Sequence, residues 1–332
     1  MRIVADFEKH DRVLIFYPYA NSSSWQSYFA ETRNSFDQVI LTIAEYKTVI
    51  LCVRDKSDFL IEHKNIELIE IETNDAWARD IAPIKIENSN GQNQYGIFAF
   101  NGYGGMHDEF EKDKLVPKIL CEKLDLEIAF ESDFVIDGGS ILTDGKGTLF
   151  TTEQCILMSN PNYTKQQIEQ ELKSRLNVNK VIWFENGLAN DETNGHVDNL
   201  MSLINENEVL INWTDDIENP NYKIVRSVFN LLESENFAIH KIELPPLQTR
   251  TASETNPRKN QKQGDDLAAN YINFYNGGDF ILLPTFDIPH DNIIIQKFKS
   301  IFSDKKIIPI YSRNILLGGG NIHCITREFE RS

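Results

Sequence analysis

Short apolar segments alternate with amphipathic stretches along the chain, and this alternation restricts the possible fold more than any other feature. Short apolar runs bounded by polar residues predict strands, whereas apolar residues at helical spacing predict helices. The predicted strands are Val13–Tyr17, Thr48–Val53, Ile66–Ile71, Tyr95–Phe100, Val181–Phe184, Val209–Asn212, Phe280–Pro284 and Ile307–Ile310. The predicted helices are Ser23–Leu41, Lys165–Leu176 with Thr164 as its N-cap, and Tyr222–Ser234. This order predicts an α/β fold built from βαβ-like units.

No segment of the sequence is typical of a linker between two domains, so we expect residues 1–332 to form a single domain. The longest polar stretch is Pro245–Asn270. A polar stretch of this length inside a compact domain is typical of a functional lid or of a mobile insertion. The sequence leaves both interpretations open.

The side chains are strongly acidic in balance, with 50 acidic and 33 basic residues and a formal charge of −17. Such a surface repels nucleic acids and anionic membranes and favours small cationic partners, although solubility explains the charge about equally well. No apolar run approaches the ~20 residues that cross a bilayer, and the N-terminus lacks the apolar core of a signal peptide. We therefore expect a cytoplasmic protein without nucleic-acid or membrane partners. The oligomeric state stays open, with a homodimer among the alternatives.

The four cysteines show neither a CxxC pair nor zinc-ribbon spacing. Cys52, Cys121 and Cys155 lie in or beside apolar runs, which predicts buried free thiols. Cys324 differs because it ends the run GGGNIHC at residues 318–324. Glycines allow a positive φ and a close approach of the backbone to another group, so this turn can present the thiol as a nucleophile. The alternative is a glycine turn that ends in a buried thiol.

The run DETNGHVD at residues 191–198 places His196 two positions before Asp198. On an extended strand these side chains would point to the same side, and a carboxylate beside an imidazole suits general acid–base catalysis. A solvated strand end is the alternative. A zinc site formed by His196, Asp198, His323 and Cys324 is disfavoured because this set has no standard ligand spacing. We therefore predict no metal site.

Two further segments combine an acid with groups that suit a planar cation. In the run WARD at residues 77–80, the ring of Trp77 could stack on such a cation while Asp80 binds its N–H groups. The alternative is a core tryptophan with a surface Arg79–Asp80 ion pair. In the run DGGS at residues 137–140, Asp137 belongs either to a pocket or to a simple turn. The run DGKG at residues 144–147 is typical of a hairpin turn.

Taken together, these segments resemble the agmatine deiminase family of the guanidino-group-modifying superfamily, which also contains the arginine and peptidylarginine deiminases. The match extends from about residue 77 to residue 326 in the family order and is highly specific as a set. The matching segments are Trp77–Asp80, Phe100–Gly105, Asp137–Ser140, Thr152–Cys155, Asp191–Asp198, Tyr271–Tyr275 and Gly318–Thr326. One departure is Asp137, where related chains commonly carry glutamate.

The resemblance implies a five-bladed pseudosymmetric α/β propeller, in which ββαβ modules surround a central active site. It implies Cys324 as the nucleophile, His196 as the acid–base residue, and Asp80 and Asp198 as the groups that hold a guanidinium. The substrate-binding residues that it implies are Trp77, Asp137, Glu192 and Asn273. The implied reaction is hydrolysis of agmatine to N-carbamoylputrescine and ammonia through a covalent thiouronium, without a cofactor.

The choice of substrate depends on what binds the end of the molecule opposite the guanidinium. A free or C-terminal arginine needs a partner for its carboxylate, yet no arginine occurs between Arg79 and Arg175. Agmatine instead ends in an ammonium, which an acid such as Asp137 or Glu192 would suit. A peptidylarginine deiminase, a catalytically silent guanidinium-binding protein and a zinc hydrolase are the competing interpretations.

Overall fold

The computed structural model describes residues 1–20, 22–25 and 28–330. In this part of the chain the strands are β1 Arg2–Ile3, β2 Arg12–Phe16, β3 Thr48–Val53, β4 Ile66–Glu70, β5 Ile84–Glu87, β6 Asn93–Ala99, β7 Ile128–Val135, β8 Ile141–Thr143, β9 Thr148–Thr152, β10 Lys180–Phe184, β11 Met201–Leu203, β12 Glu208–Trp213, β13 Ala238–Glu243, β14 Gln248–Thr249, β15 Asp266–Leu267, β16 Tyr275–Asn276, β17 Phe280–Thr285, β18 Lys306–Tyr311 and β19 Arg327–Phe329. The helices are α1 Phe29–Ala44, α2 Ala78–Ile81, α3 Gly102–Gly105, α4 Val116–Leu124, α5 Glu153–Ser159, α6 Lys165–Leu176, α7 Tyr222–Ser234, α8 Pro289–Ile301 and α9 Arg313–Leu316.

A common connectivity recurs in five sheets of the described chain: an antiparallel pair is followed by a helix and then by a parallel strand. The sheets β5-β6-β7, β8-β9-β10, β11-β12-β13 and β16-β17-β18 follow this order, and β1 extends the first of them. In the remaining sheet β19 pairs antiparallel with β2, and β3 returns parallel to β2 after α1. The C-terminal strand thus completes the sheet that the N-terminal strands begin, and the α/β prediction is confirmed.

The eight predicted strands all form, and their apolar residues are buried or partly buried in the sheets. In β3, for example, the five residues from Val49 to Val53 are buried. Helix α6 has the predicted bounds and the predicted cap, since the Thr164 side chain accepts a hydrogen bond from the backbone N–H of Gln167. The run at residues 144–147 connects β8 to its antiparallel partner β9, as a hairpin turn requires.

The predicted start of the first helix is wrong: α1 begins at Phe29 rather than at Ser23 and ends at Ala44. Residues 23–25 form bends instead, and residues 26 and 27 lie outside the described part of the chain. The reason is tertiary, because Ser22 and Ser24 both donate hydrogen bonds to the buried carboxylate of Asp75. Local amphipathic spacing cannot show that a distant carboxylate holds these hydroxyls.

The loops that carry the candidate site residues follow strand or helix ends. Asp137 comes just after β7, the run at residues 191–198 lies between β10 and β11, and Gly318 follows the short helix α9. Their supporting elements pack into extensive apolar clusters, so the loop ends are held on a rigid frame. No helix among the described residues is long and apolar enough to cross a membrane.

Candidate active site

Steric crowding explains the glycines that precede Cys324. A Cβ atom at Gly318 would lie 2.3 Å from the ring of Trp25, and one at Gly320 would lie 2.9 Å from the sulfur of Cys324. Gly319 has φ +114°, a conformation that other residues rarely adopt. The turn therefore brings the backbone against the thiol and leaves the thiol on a cavity wall.

Cys324 is buried and is held from two sides. Its backbone N–H donates to Oδ1 of Asn273 over 3.3 Å, and its sulfur lies 3.4 Å from the same oxygen. The sulfur also lies 3.8 Å from Oδ2 of Asp198. Burial, followed by the charges of Asp198 and Asp80, raises the pKa of this thiol well above its ordinary value, although His196 opposes the shift. The thiol is therefore protonated in the empty site at neutral pH.

His196 is fully buried between carboxylates. Its Nε2 lies 3.2 Å from Oδ2 of Asp137, and its Nδ1 lies 3.7 Å from Oδ1 of Asp80. Burial alone would lower the pKa of this imidazole, but Cys155, Asp80 and Asp137 raise it well above its ordinary value. The imidazole is therefore protonated at neutral pH and can donate a proton.

The geometry around residues 196–198 differs from the predicted strand, because Val197–Asn199 forms a 3₁₀ turn. His196 and Asp198 nevertheless converge, and they do so over Gly139. A Cβ atom at Gly139 would lie 2.6 Å from Nδ1 of His196, 2.9 Å from Oδ2 of Asp198 and 3.0 Å from Oδ1 of Asp80. Three ionisable groups thus meet next to Gly139, and the side chain of any other residue at this position would collide with them.

Asp80 is oriented by two hydrogen bonds that the sequence did not reveal. The backbone N–H of Gly139 donates to its Oδ1 over 2.8 Å, and the hydroxyl of Tyr103 donates to its Oδ2 over 3.0 Å. Burial raises the pKa of Asp80 to about 6, although the neighbouring His196 opposes this shift. Asp80 is therefore mostly ionised at neutral pH. Tyr103 belongs to the run at residues 100–105, so its position in the resemblance was the available signal.

Asp198 is fixed by His323, which sequence reasoning considered only as a metal ligand. Nδ1 of His323 lies 2.8 Å from Oδ2 of Asp198, and its Nε2 lies 3.0 Å from Oδ2 of Asp6. The other oxygen of Asp198 is buried and has no hydrogen-bond partner among the described residues. One carboxylate oxygen is thus free to accept a further hydrogen bond. The position of His323 directly before Cys324 was the signal that could have identified it.

The alternative that Arg79 and Asp80 form a surface ion pair is wrong. Arg79 is fully buried and is not among the residues that line the cavity. Its guanidinium pairs with Asp6 at 3.0 Å and with Glu328 at 2.8 Å. It therefore joins α2 to β19 and to the N-terminal segment, while Asp80 faces the cavity.

A narrow cavity reaches Cys324. It shares Glu192 and His107 with a wider, open cleft of about 790 Å³. Of the predicted site residues, Trp77, Asp80, Glu192 and Cys324 line the narrow cavity. The other four predicted residues, His196, Asp198, Asp137 and Asn273, do not line the narrow cavity. His196 lies beside Asp80 and Asn273 bonds to Cys324, while Asp137 contacts His196 and Asp198 contacts Asn273.

The two acids considered for the amine tail occupy different places. Asp137 is buried and faces His196, whereas Glu192 lies where the narrow cavity meets the cleft. Glu192 is held by the segment that the sequence left as a lid or an insertion. Its Oε1 accepts a hydrogen bond from Arg250 over 2.8 Å, and Gln261 donates to both of its oxygens over 2.6 and 2.7 Å.

Groups of metal-binding type come together at two places in the described chain, and neither is the set considered from the sequence. One trio is Asp137, Cys155 and His196; the other is Asp6, His323 and Glu328. In each trio the possible ligand atoms lie within 4.8 Å of one another. Cys155 is buried, as predicted, and lies against the catalytic candidate His196.

Comparison with known proteins gives a consistent result over the whole length. The sequence profile of Porphyromonas-type peptidyl-arginine deiminases matches residues 2–329. A protein of Listeria monocytogenes that carries a provisional agmatine deiminase name is 35% identical, over 99% of this chain and 96% of that protein.

Solved structures agree with the sequence relatives. The structure of an agmatine deiminase of Enterococcus faecalis has a TM-score of 0.90 at 29% identity, covering 99% of this chain and 96% of that one. A C. jejuni agmatine deiminase with a cysteine-to-serine change, described with substrate bound, has a TM-score of 0.89 at 26% identity, covering 98% and 95%. The fold described above is thus the fold of these enzymes.

Proposed function

As the chain belongs to the Porphyromonas-type peptidyl-arginine deiminase family, we propose that it is an agmatine deiminase, a hydrolase that converts agmatine to N-carbamoylputrescine and ammonia. The observation that carries this proposal is the convergence of three ionisable groups beside a buried thiol. His196, Asp80 and Asp198 all approach Gly139, and the sulfur of Cys324 lies 3.8 Å from Asp198. Two acids, a protonated imidazole and a thiol are the groups that hydrolysis of a guanidinium needs.

Binding of the cation by the two acids is the first step, because the charge of a guanidinium is delocalised and its carbon is a poor electrophile. Asp80 and the unpaired oxygen of Asp198 accept its N–H groups in charge-assisted hydrogen bonds, which fix the plane of the cation. These bonds hold the central carbon in front of the sulfur of Cys324. Trp77 lines the same cavity and can cover a face of the cation with its ring.

Once the bound cation offsets the neighbouring carboxylates, the thiol of Cys324 loses its proton to solvent. The thiolate then attacks the guanidinium carbon, which forms the carbon–sulfur bond and gives a neutral tetrahedral adduct. The imidazolium of His196 then transfers its proton to the departing nitrogen, which leaves as ammonia, and a thiouronium remains on the sulfur. The neutral imidazole next takes a proton from a water molecule that attacks the same carbon. Cleavage of the carbon–sulfur bond releases the ureido product and the thiol group. One imidazole thus acts first as acid and then as base.

Glu192 is the better candidate for the ammonium tail of agmatine. It is the acid at the outer end of the narrow cavity, whereas Asp137 faces His196 and is committed to orienting that ring. The shorter side chain of Asp137, compared with glutamate, therefore affects the contact with the imidazole of His196 rather than a contact with the substrate tail. Arg250, one candidate partner for a substrate carboxylate, is itself engaged by Glu192 and by the carbonyl oxygen of Leu317.

The repeated connectivity supports a proposal about architecture. We propose that the five sheets with a shared connectivity are the blades of a five-bladed pseudosymmetric propeller, and that residues 1–332 form one domain. The pairing of β19 with β2 supports this arrangement, because it joins the two ends of the chain within one sheet.

A single assay tests the proposed function. Ammonia and the ureido product are measured after incubation with agmatine, with free arginine and with a short arginine-containing peptide. We expect release of ammonia and N-carbamoylputrescine from agmatine, with much weaker turnover of the other two. Citrulline formation on the peptide without turnover of agmatine would contradict the proposal and favour a peptidylarginine deiminase.

The electrostatics of the empty site predict that substrate helps to ionise the nucleophile. Burial and the charges of Asp198 and Asp80 raise the pKa of Cys324, and a bound guanidinium or amidine would offset these carboxylates. We expect the midpoint of the pH dependence of Cys324 alkylation to move to lower pH when a substrate-like amidine that does not touch the sulfur is bound.

The midpoint, rather than the alkylation rate, is the useful quantity, because a bound amidine can also slow access of the reagent. Mass spectrometry of the peptide that contains Cys324 separates this thiol from Cys52, Cys121 and Cys155, which are also free. An identical midpoint with and without the amidine would show that the substrate does not assist ionisation.

A further inference from the structure

The polar segment between β13 and β16 forms an ordered clasp, defined here as residues 248–267. Its ends are the short antiparallel strands β14 and β15, and its tip is closed by a bridge between Asn256 and Gln261. The side chain of Asn256 donates to the carbonyl oxygen of Ser23 over 2.6 Å, which anchors the tip to another segment of the cleft lining. The clasp therefore forms part of the wall of the cleft that leads to the narrow cavity.

Lys259 projects from the tip of the clasp towards the narrow cavity. Its side chain is only 10% exposed, and its ammonium donates to the carbonyl oxygen of Gly318 over 3.0 Å. The same ammonium lies 3.6 Å from Oε2 of Glu192. The charge of Lys259 also acts on His107. Burial and this charge together lower the pKa of His107 well below its ordinary value. A positive charge thus lies among His107, Glu192 and Gly318, which all line the cavity.

The carboxylate of Glu192 is therefore already surrounded by cations and donors. Arg250 approaches it at 2.8 Å and Lys259 at 3.6 Å, and Gln261 donates to both of its oxygens. An ammonium tail placed beside Glu192 would be the third cation around one negative charge. Like charges at such distances repel, so one of the resident cations has to move away.

The two resident cations differ in how firmly they are held. Arg250 is almost fully buried and also donates to the carbonyl oxygens of Leu317 and Glu254. The ammonium of Lys259 ends a four-carbon side chain on a surface turn. It donates to one carbonyl oxygen, lies near Glu192, and its charge also acts on the buried carboxyl of Asp75. Lys259 is thus the cation that a ligand can displace at lower cost.

We propose that Lys259 occupies the place of the substrate's ammonium tail in the empty enzyme and competes with that tail for Glu192. The inference rests on the proposed function and concerns the tail end of the same site. Binding of agmatine then exchanges one ammonium for another at Glu192, and Lys259 swings towards the cleft. Lys259 in this way sets how strongly the enzyme favours one tail charge over another.

The test compares Lys259→Met with wild type on three guanidines that differ only in the group at the tail. These are agmatine with an ammonium, pentylguanidine with a methyl group, and 5-guanidinopentanoate with a carboxylate. For the variant we expect the KM for agmatine to fall about threefold or more, the KM for pentylguanidine to stay constant, and the KM for the carboxylate to rise. The kcat should not change, because Lys259 does not contact the reacting groups.

Lys262→Met is the matched control, since Lys262 is an exposed lysine on the same clasp. Its KM values should equal those of wild type, and Lys259→Gln should reproduce the effect of Lys259→Met. A KM that changes equally for all three tails would overturn the inference, because Lys259 would then act only as a structural latch. Wild-type enzyme that turns over none of the guanidines would overturn the proposed function, and the inference with it.

Discussion

Replacing Cys324 with serine is expected to lower kcat for agmatine by about 10⁴-fold or more while substrate binding persists. The reason is that the sulfur forms and then releases the covalent bond to the guanidinium carbon, whereas Asp80 and Asp198 bind the cation without it. A hydroxyl is a far weaker nucleophile than a thiolate. Steady-state ammonia release measures kcat, and calorimetric titration with agmatine measures binding.

Cys121→Ser is the matched control for this variant, because Cys121 is another buried free thiol and lies on α4, away from the cavity. It should keep wild-type turnover, which separates loss of the nucleophile from a general cost of replacing a buried cysteine. Substantial turnover by Cys324→Ser would mean that a different group attacks the substrate. Loss of agmatine binding together with turnover would mean that the thiol serves mainly to hold the ligand.

Replacing His196 with glutamine is expected to lower kcat by about 10² to 10⁴-fold, the range found for general acid–base groups. The amide can still bond to Asp137, but it cannot deliver a proton to ammonia or accept one from water. Burial alone would lower the pKa of His196. Its neighbours Cys155, Asp80 and Asp137 have the larger effect and raise that pKa well above its ordinary value, so the wild-type ring is protonated when substrate arrives. The pH profile of kcat is the decisive measurement, because the step assigned to this imidazole should vanish from the variant's profile.

A second buried histidine provides the control for stability. His10 is also almost fully buried, its Nε2 lies 2.7 Å from the hydroxyl of Tyr275, and it lines a different pocket from Cys324. His10→Gln should therefore report the cost of replacing a buried imidazole without altering the pH profile of kcat. If His196→Gln kept the wild-type profile and most of its kcat, His196 would be a structural residue and another group would transfer the proton.

The strands were predictable because each is coded locally. A run such as Phe280–Pro284 is apolar enough to be buried on both faces, and its length excludes a long helix. Helices with their own caps were equally predictable, as Thr164 shows for α6. The start of α1 was not, because the hydroxyls of Ser22 and Ser24 bond to Asp75, which lies more than fifty residues away. Local spacing carries no information about such a partner.

The candidate site likewise contains features that the local sequence revealed and contacts that it did not. The glycines before Cys324 and the acids near His196 are visible as runs of letters, and the resemblance assigned them to one site. The supporting contacts are not visible in this way: Tyr103 orients Asp80, His323 holds Asp198, and the clasp covers Glu192. Each of these contacts joins residues far apart in the chain, so only the packing of separate loops creates it.

By itself, the sequence determined the chemistry that is available: a thiol after three glycines, an imidazole two residues from an acid, and an α/β chain with a strongly acidic surface. The tertiary structure alone decided which of these groups meet, in which protonation state, and how the tail end is lined. The physical reason is that bond types belong to residues, whereas pKa values and ion pairs depend on burial and on distances between atoms of remote segments.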